Sequence, residues 1–95
     1  MVEGIFGAVV RKGAEEAGAV FVIVNHLDGT CHLFGPAAGP SHDDAGERRW
    51  NIELRPPAGP GEVMALLERR KRADPDLWIV EVEDRAGTAG LAGSA

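Results

Sequence analysis

Asp74-Pro75-Asp76-Leu77-Trp78-Ile79-Val80-Glu81-Val82-Glu83-Asp84 is the stretch that decides the fold. Asp74-Pro75 stops whatever helix precedes it, because the residue before a proline avoids the α region. Leu77 to Asp84 then reads as a strand, rich in β-branched and aromatic side chains. Upstream, Pro56-Pro57-Ala58-Gly59-Pro60-Gly61 breaks the chain, and Pro60 suits a first helical turn. Between the two breaks, Val63, Leu66 and Leu67 fall at i, i+3 and i+4, one apolar stripe. Glu62 near the start and Arg69-Arg70-Lys71-Arg72 near the end complement the helix dipole. A helix over Gly61–Ala73 followed by a strand is the expected C-terminal half.

The N-terminal half reads as strands. Ile5 to Arg11 is rich in Ile, Phe and Val and stops at Lys12-Gly13. Ala14 to Gly18 is too short for an independent helix and reads as a turn. Ala19 to Leu27 and Thr30 to Phe34 flank Asp28-Gly29, a hairpin signal, since a type I′ turn needs positive φ at both central residues. A two-residue loop would pair His26 with Cys31 and Asn25 with His32. Val22, Val24, His26, Cys31 and Leu33 would then share one face, and Ile23, Asn25, His32 and Phe34 the other. A three-residue loop would shift every pair by one.

Gly35 to Glu47 holds three glycines, two prolines and Ser41-His42-Asp43-Asp44, and reads as a long surface loop. Arg48 to Leu54 alternates, with Arg48, Trp50, Ile52 and Leu54 on one side. Residues 85–95 read as a frayed tail. The expectation is one domain over residues 1–95, ordered over about 5–84. Its fold is α+β: a mostly antiparallel sheet of about five strands with one main helix on one face. The connection from the helix allows the last strand to enter the sheet centre.

Composition narrows the function classes. The 95 residues are 44% hydrophobic and 26% charged, as in soluble globular proteins. Ten basic against fifteen acidic residues give a net charge of −5, which disfavours generic nucleic-acid binding and docking on anionic membrane. Cys31 is the single cysteine, so no intramolecular disulfide forms. No stretch approaches a membrane span, and the N-terminus shows no signal-peptide pattern, so the expected location is cytoplasmic.

Several segments together resemble the small, uncharacterised bacterial family catalogued as domain of unknown function 1491. They are Val9-Val10-Arg11-Lys12-Gly13, Ala17-Gly18-Ala19-Val20, Asp28-Gly29 with Leu33-Phe34-Gly35-Pro36, and Glu47-Arg48-Arg49-Trp50, besides Asp74 to Asp84. The resemblance covers about Ile5 to Arg85. It implies one fold and carries no reaction, cofactor or partner. Members of that family usually carry an extra amphipathic helix ahead of the first strand. The present sequence starts too late to include it, which implies a trimmed or short form with a less fully covered sheet.

Four groups of residues are candidates for chemistry. His26, Cys31, His32, His42, Asp43 and Asp44 are metal-ligand types without ligand spacing, and a half-exposed hairpin beside a polar loop is the plainer reading. Glu81 and Glu83 share a strand face, roughly 6–7 Å apart, as an acid–base pair would. Alternating glutamates more often mark a solvated face, with Trp78, Val80 and Val82 as the core side. Ser41-His42-Asp43 has the letters of a triad, but adjacent residues cannot adopt triad geometry. Cys31 reads as a small semi-buried strand residue. Arg69 to Arg72, with Arg48 and Arg49, form a basic patch, but a helix C-terminus is where cations belong, and the acidic run Asp74 to Asp84 lies ready to neutralise them. Trp50 and Trp78 read as core anchors. No catalytic, cofactor-binding or metal residue is assigned. The leading expectation is a non-enzymatic interaction or accessory module with a protein partner or a second copy of itself. A small metal-dependent or acid–base enzyme using His26, Glu81 or Glu83 and a nucleic-acid binder through Arg69–Arg72 are the alternatives.

Overall fold

The structure is a computed structural model, and it describes residues 6–15, 18–37, 49–85, 87 and 93–94. Its elements are β1 (Phe6–Arg11), β2 (Val20–Asn25), β3 (Cys31–Pro36), β4 (Trp50–Leu54), α1 (Pro60–Ala73), β5 (Trp78–Glu83) and a two-residue β6 (Gly93–Ser94). This is the expected α+β fold: one helix and a mostly antiparallel sheet, five strands of ordinary length plus β6. Strand order is β1-β5-β2-β3-β4-β6. The last full strand does enter the middle, antiparallel to β1 and parallel to β2. Apart from the two-residue pairing of β6 with β4, the β2–β5 ladder is the one parallel pairing among the described strands.

Central position explains why β2 reads Val-Phe-Val-Ile-Val. Phe21, Val22, Ile23 and Val24 are all buried, because both faces of the strand are covered. On one face Phe21, Ile23, Cys31, Leu33, Leu77 and Ile79 pack with Val63 and Leu67 of α1. On the other, Val22, Val24 and Phe34 gather Val20, Trp50, Ile52 and Val82 around them. The apolar stripe of α1 is thus the expected one, with Val63 and Leu67 buried and Leu66 packed beside them. Gly59 caps the helix through its backbone, accepting from the Val63 N–H at 3.2 Å. At the other end the Asp74 N–H donates to the Arg70 carbonyl at 2.8 Å, and the Asp74 carboxylate accepts from the Asp76 N–H, turning the chain.

The hairpin register differs from the two-residue reading. Observed partners are Val22 with Phe34, Ile23 with Leu33, Val24 with His32 and Asn25 with Cys31. The His26 N–H donates to the Thr30 carbonyl, closing a three-residue loop of Leu27, Asp28 and Gly29. Leu27 and Gly29 both have positive φ, 61° and 88°. The side chains at its ends hold it: Asn25 Oδ1 accepts from the Leu27 N–H, and Asp28 Oδ1 accepts from the Thr30 N–H and hydroxyl. Every pair therefore moves by one, and Cys31 and His32 exchange faces relative to the expectation.

Two boundaries also move. Gly35 and Pro36, expected in the loop, extend β3 opposite Asn51 and Trp50. Gly35 fits there because a Cβ would stand 2.9 Å from the Phe21 ring and 3.1 Å from the Glu53 side chain. In β4, a register shift against Leu33 and Phe34 breaks the alternation. Trp50 and Ile52 pack in the second cluster, whereas Leu54 packs under the helix. Residues 38–47 of the expected loop and Arg48 of the expected strand lie outside the described residues, as does most of the expected tail; Gly93 and Ser94 pair with Trp50 and Asn51.

Candidate functional site

The register shift brings together two residues that the two-residue hairpin would have separated. His26 follows β2 and is 8% exposed; His32 lies in β3, half-buried. The rings meet edge to face, centroids 5.0 Å apart, and His26 Nε2 lies 2.8 Å from His32 Nδ1. His26 Nδ1 lies 2.7 Å from the carbonyl of Asp84, the residue after β5. A carbonyl only accepts, so His26 Nδ1 carries a proton and donates it. In the neutral ring His26 Nε2 is then bare and accepts from His32 Nδ1–H. A directional chain results, His32 to His26 to the Asp84 carbonyl, leaving His32 Nε2 as its open end.

The surroundings set the proton affinity of this chain. His32 is stacked on Phe34, with centroids 5.7 Å apart. Burial, then His26, then the Arg55 guanidinium lower its pKa below the ordinary 6.5. Asp28 sits across the loop, its carboxyl held below its usual range by the Thr30 hydroxyl and N–H. His26, Asp28, Thr30, His32, Pro56, Arg85 and Gly87 line a shallow cleft of about 300 Å³.

Other candidates fare differently. Cys31 faces the helix side, 2% exposed, with its thiol pKa pushed up by burial and by the charges of Glu81 and Asp28. It is therefore on the opposite face from His26, and both His26 nitrogens are engaged, so the candidate His/Cys metal pair does not assemble. Among the described residues no three His, Cys, Asp or Glu converge on one point. Ser41, His42, Asp43 and Asp44 lie outside them. Glu81 lines a small pocket of about 110 Å³ with Ile23, Asn25, Cys31 and Val63, taking a long 3.4 Å hydrogen bond from Asn25. Glu81 and Glu83 also flank a groove over Gly7, Ala8 and Val10. They thus stand on the helix side of the sheet, past the part that α1 covers, while Val82 joins the second cluster.

Two cations of the run Arg69–Arg72 are paired, neither of them with residues 74–84. Arg70 pairs with Glu53 at 2.8 Å and Lys71 with Glu68 at 2.7 Å. Trp78 anchors backbone: its indole N–H donates to the Ala14 carbonyl at 2.8 Å and its backbone N–H to Ala19 at 2.7 Å. No described helix is long and apolar enough to cross a membrane.

One helix on a mixed sheet, with a hydrogen-bonded histidine pair at the hairpin end, defines a small single-helix α+β protein. The chain belongs to the family described as Protein of unknown function (DUF1491), whose model matches residues 1–92. A solution structure of a protein from A. tumefaciens is similar at 46% identity and a TM-score of 0.74, over 85% of this chain and 71% of that one. A crystal structure of a DUF1491 family protein from Caulobacter crescentus CB15 is similar at 38% identity and a TM-score of 0.72, over 97% and 81%. An NMR structure of a DUF1491 family protein from the same organism gives 39% and 0.68 over the same shares. Among curated proteins none matches.

Proposed function

We propose that this protein is a non-enzymatic interaction module that pairs with a second copy of itself along β1. The observation that carries the reading is the state of that strand. β1 is the outer strand of the sheet, with no second neighbour among the described residues. Val9 and Val10 on its opposite faces are 58% and 52% exposed. Edge strands are normally guarded by charge, proline or irregularity. Arg11 is the only charged residue in β1, and its guanidinium is turned inward onto the carbonyls of Leu77 and Pro75. One guard remains, a register shift between Val9 and Arg11, which confines regular pairing to Phe6–Val9. Antiparallel pairing about a twofold axis sets apolar residues of one copy against those of the other. The module acts in the cytoplasm on this reading, where a lone reduced cysteine is ordinary.

Such a contact is small, so the dimer is weak. Each copy carries a charge of −5, and screening of that repulsion makes added salt strengthen it. Sedimentation velocity from micromolar to submillimolar protein tests the reading. The expected result is a concentration-dependent shift toward dimer, enhanced by salt and abolished by Val9→Lys, which sets like charges face to face. A monomer throughout, or an unchanged dimer in the variant, overturns it.

A further inference from the structure

We propose that the His26–His32 pair is a proton-operated clasp holding the chain that leaves β5 against the end of the β2–β3 hairpin. It is closed while the pair carries at most one added proton and open once both rings are protonated. The clasp is built from groups that meet only in the fold. His26 Nδ1–H donates to the Asp84 carbonyl at 2.7 Å, and the Asp84 N–H donates to the Asn25 carbonyl at 2.9 Å. His32 supports His26 from the neighbouring strand at 2.8 Å. Asp84 thus joins the hairpin through a backbone bond and through a ring whose other nitrogen is itself occupied.

Protonation acts on this chain in two steps. A first proton leaves it intact, since one N–H still lies between His26 Nε2 and His32 Nδ1 whichever ring holds the charge. A second proton sets N–H against N–H and two cations against each other, beside a His26 that is 8% exposed. Of the described charged groups around the pair, Asp28 from the loop and Asp84 beyond β5 favour added protons. Arg55 ahead of α1 and Arg85 beyond β5 oppose them. Asp28 lies close enough for His26 to help hold its carboxyl below the usual range. Burial and Arg55 act against a proton on His32. The sign follows: a histidine whose folded-state affinity is depressed contributes stability that is complete above the ordinary 6.5. That stability is lost as pH falls below this value through the folded one.

Two measurements test the clasp. In long-range proton–nitrogen NMR spectra of the wild-type chain at about pH 8, both rings should be Nδ1–H tautomers, against the usual preference of free imidazole. Amide-exchange protection at Asp84, corrected for intrinsic exchange, should fall at least about tenfold more than that of Leu33 between roughly pH 7.5 and pH 4.5. In His32→Gln the side-chain amide donates to neutral His26 and turns its oxygen to accept from the imidazolium, so Asp84 should stay as protected as Leu33. An Nε2–H tautomer at His26 overturns the proposal in the wild-type protein alone. So does an Asp84 response that matches Leu33 in wild type, or one that persists unchanged in His32→Gln.

Discussion

Arg11 reaches across the sheet edge to Leu77, donating from Nη1 to its carbonyl at 2.6 Å and from Nη2 to the Pro75 carbonyl at 2.7 Å. The same turn receives the Ala14 N–H on Asp76 at 2.9 Å. A Cβ at Gly13 would stand 2.0 Å from the Asp76 carbonyl oxygen, and one at Gly18 would stand 2.1 Å from it. Three of the segments that carry the family resemblance, around Arg11, Gly18 and Asp76, therefore close on one another. Their residues meet a demand of the fold, the close approach of these segments.

Gly13→Ala and Gly18→Ala should each destabilise the protein by about 2 kcal/mol or more, since the obstacle is backbone that must move. Gly61→Ala is the control, because nothing stands within 4 Å of its Cβ position. In the helix it should be neutral or stabilising by about 0.5–1 kcal/mol. Urea midpoints of the three variants check this.

Arg11→Met should cost about 1–2 kcal/mol, leaving two carbonyls without a charged donor on a partly exposed edge. Arg11→Lys should recover less than half, because an ammonium does not span two carbonyls as the guanidinium fork does. Thermal unfolding of both variants measures the difference.

Leu67→Ala should cost about 2–4 kcal/mol, as the side chain fills the space between α1 and the sheet. Met64, one turn earlier and 49% exposed, should tolerate alanine within about 0.5 kcal/mol. Equal losses at the two positions would refute the packing described for the helix.

Cys31 should react slowly with an aromatic disulfide reagent at mildly alkaline pH, because its thiol is buried and its pKa raised. Denaturant should release the full, fast reaction. Rapid labelling of the native protein would contradict the face assigned to it.

Legibility followed the range of the interactions. α1 was readable because its determinants are local: Pro60, the Val63-Leu66-Leu67 stripe, and Asp74-Pro75 as the stop. β5 was readable from its own composition. The hairpin register was not, because Asp28-Gly29 fits a two-residue turn, whereas the third loop residue is Leu27 at φ 61°, a conformation leucine rarely adopts. The signal lay in Asn25 and Asp28, whose side chains cap the loop. That single-residue shift separates two unrelated histidines from a hydrogen-bonded pair. Leu54 escaped the alternation for a similar reason, a bulge set by the neighbouring strand.

The central place of β5 has a consequence for the order in which the molecule is made. Among the described strands of ordinary length β1 is synthesised first, yet it pairs with β5, the last of them. Until then β1, with Val9 and Val10, has no strand partner among the described residues, while β2, β3 and β4 are free to associate. Pairing of β1 waits on the synthesis of β5, a long-range closure of the kind that slows folding. During that interval the nascent chain carries an apolar strand still waiting for β5, the condition under which strand edges associate wrongly.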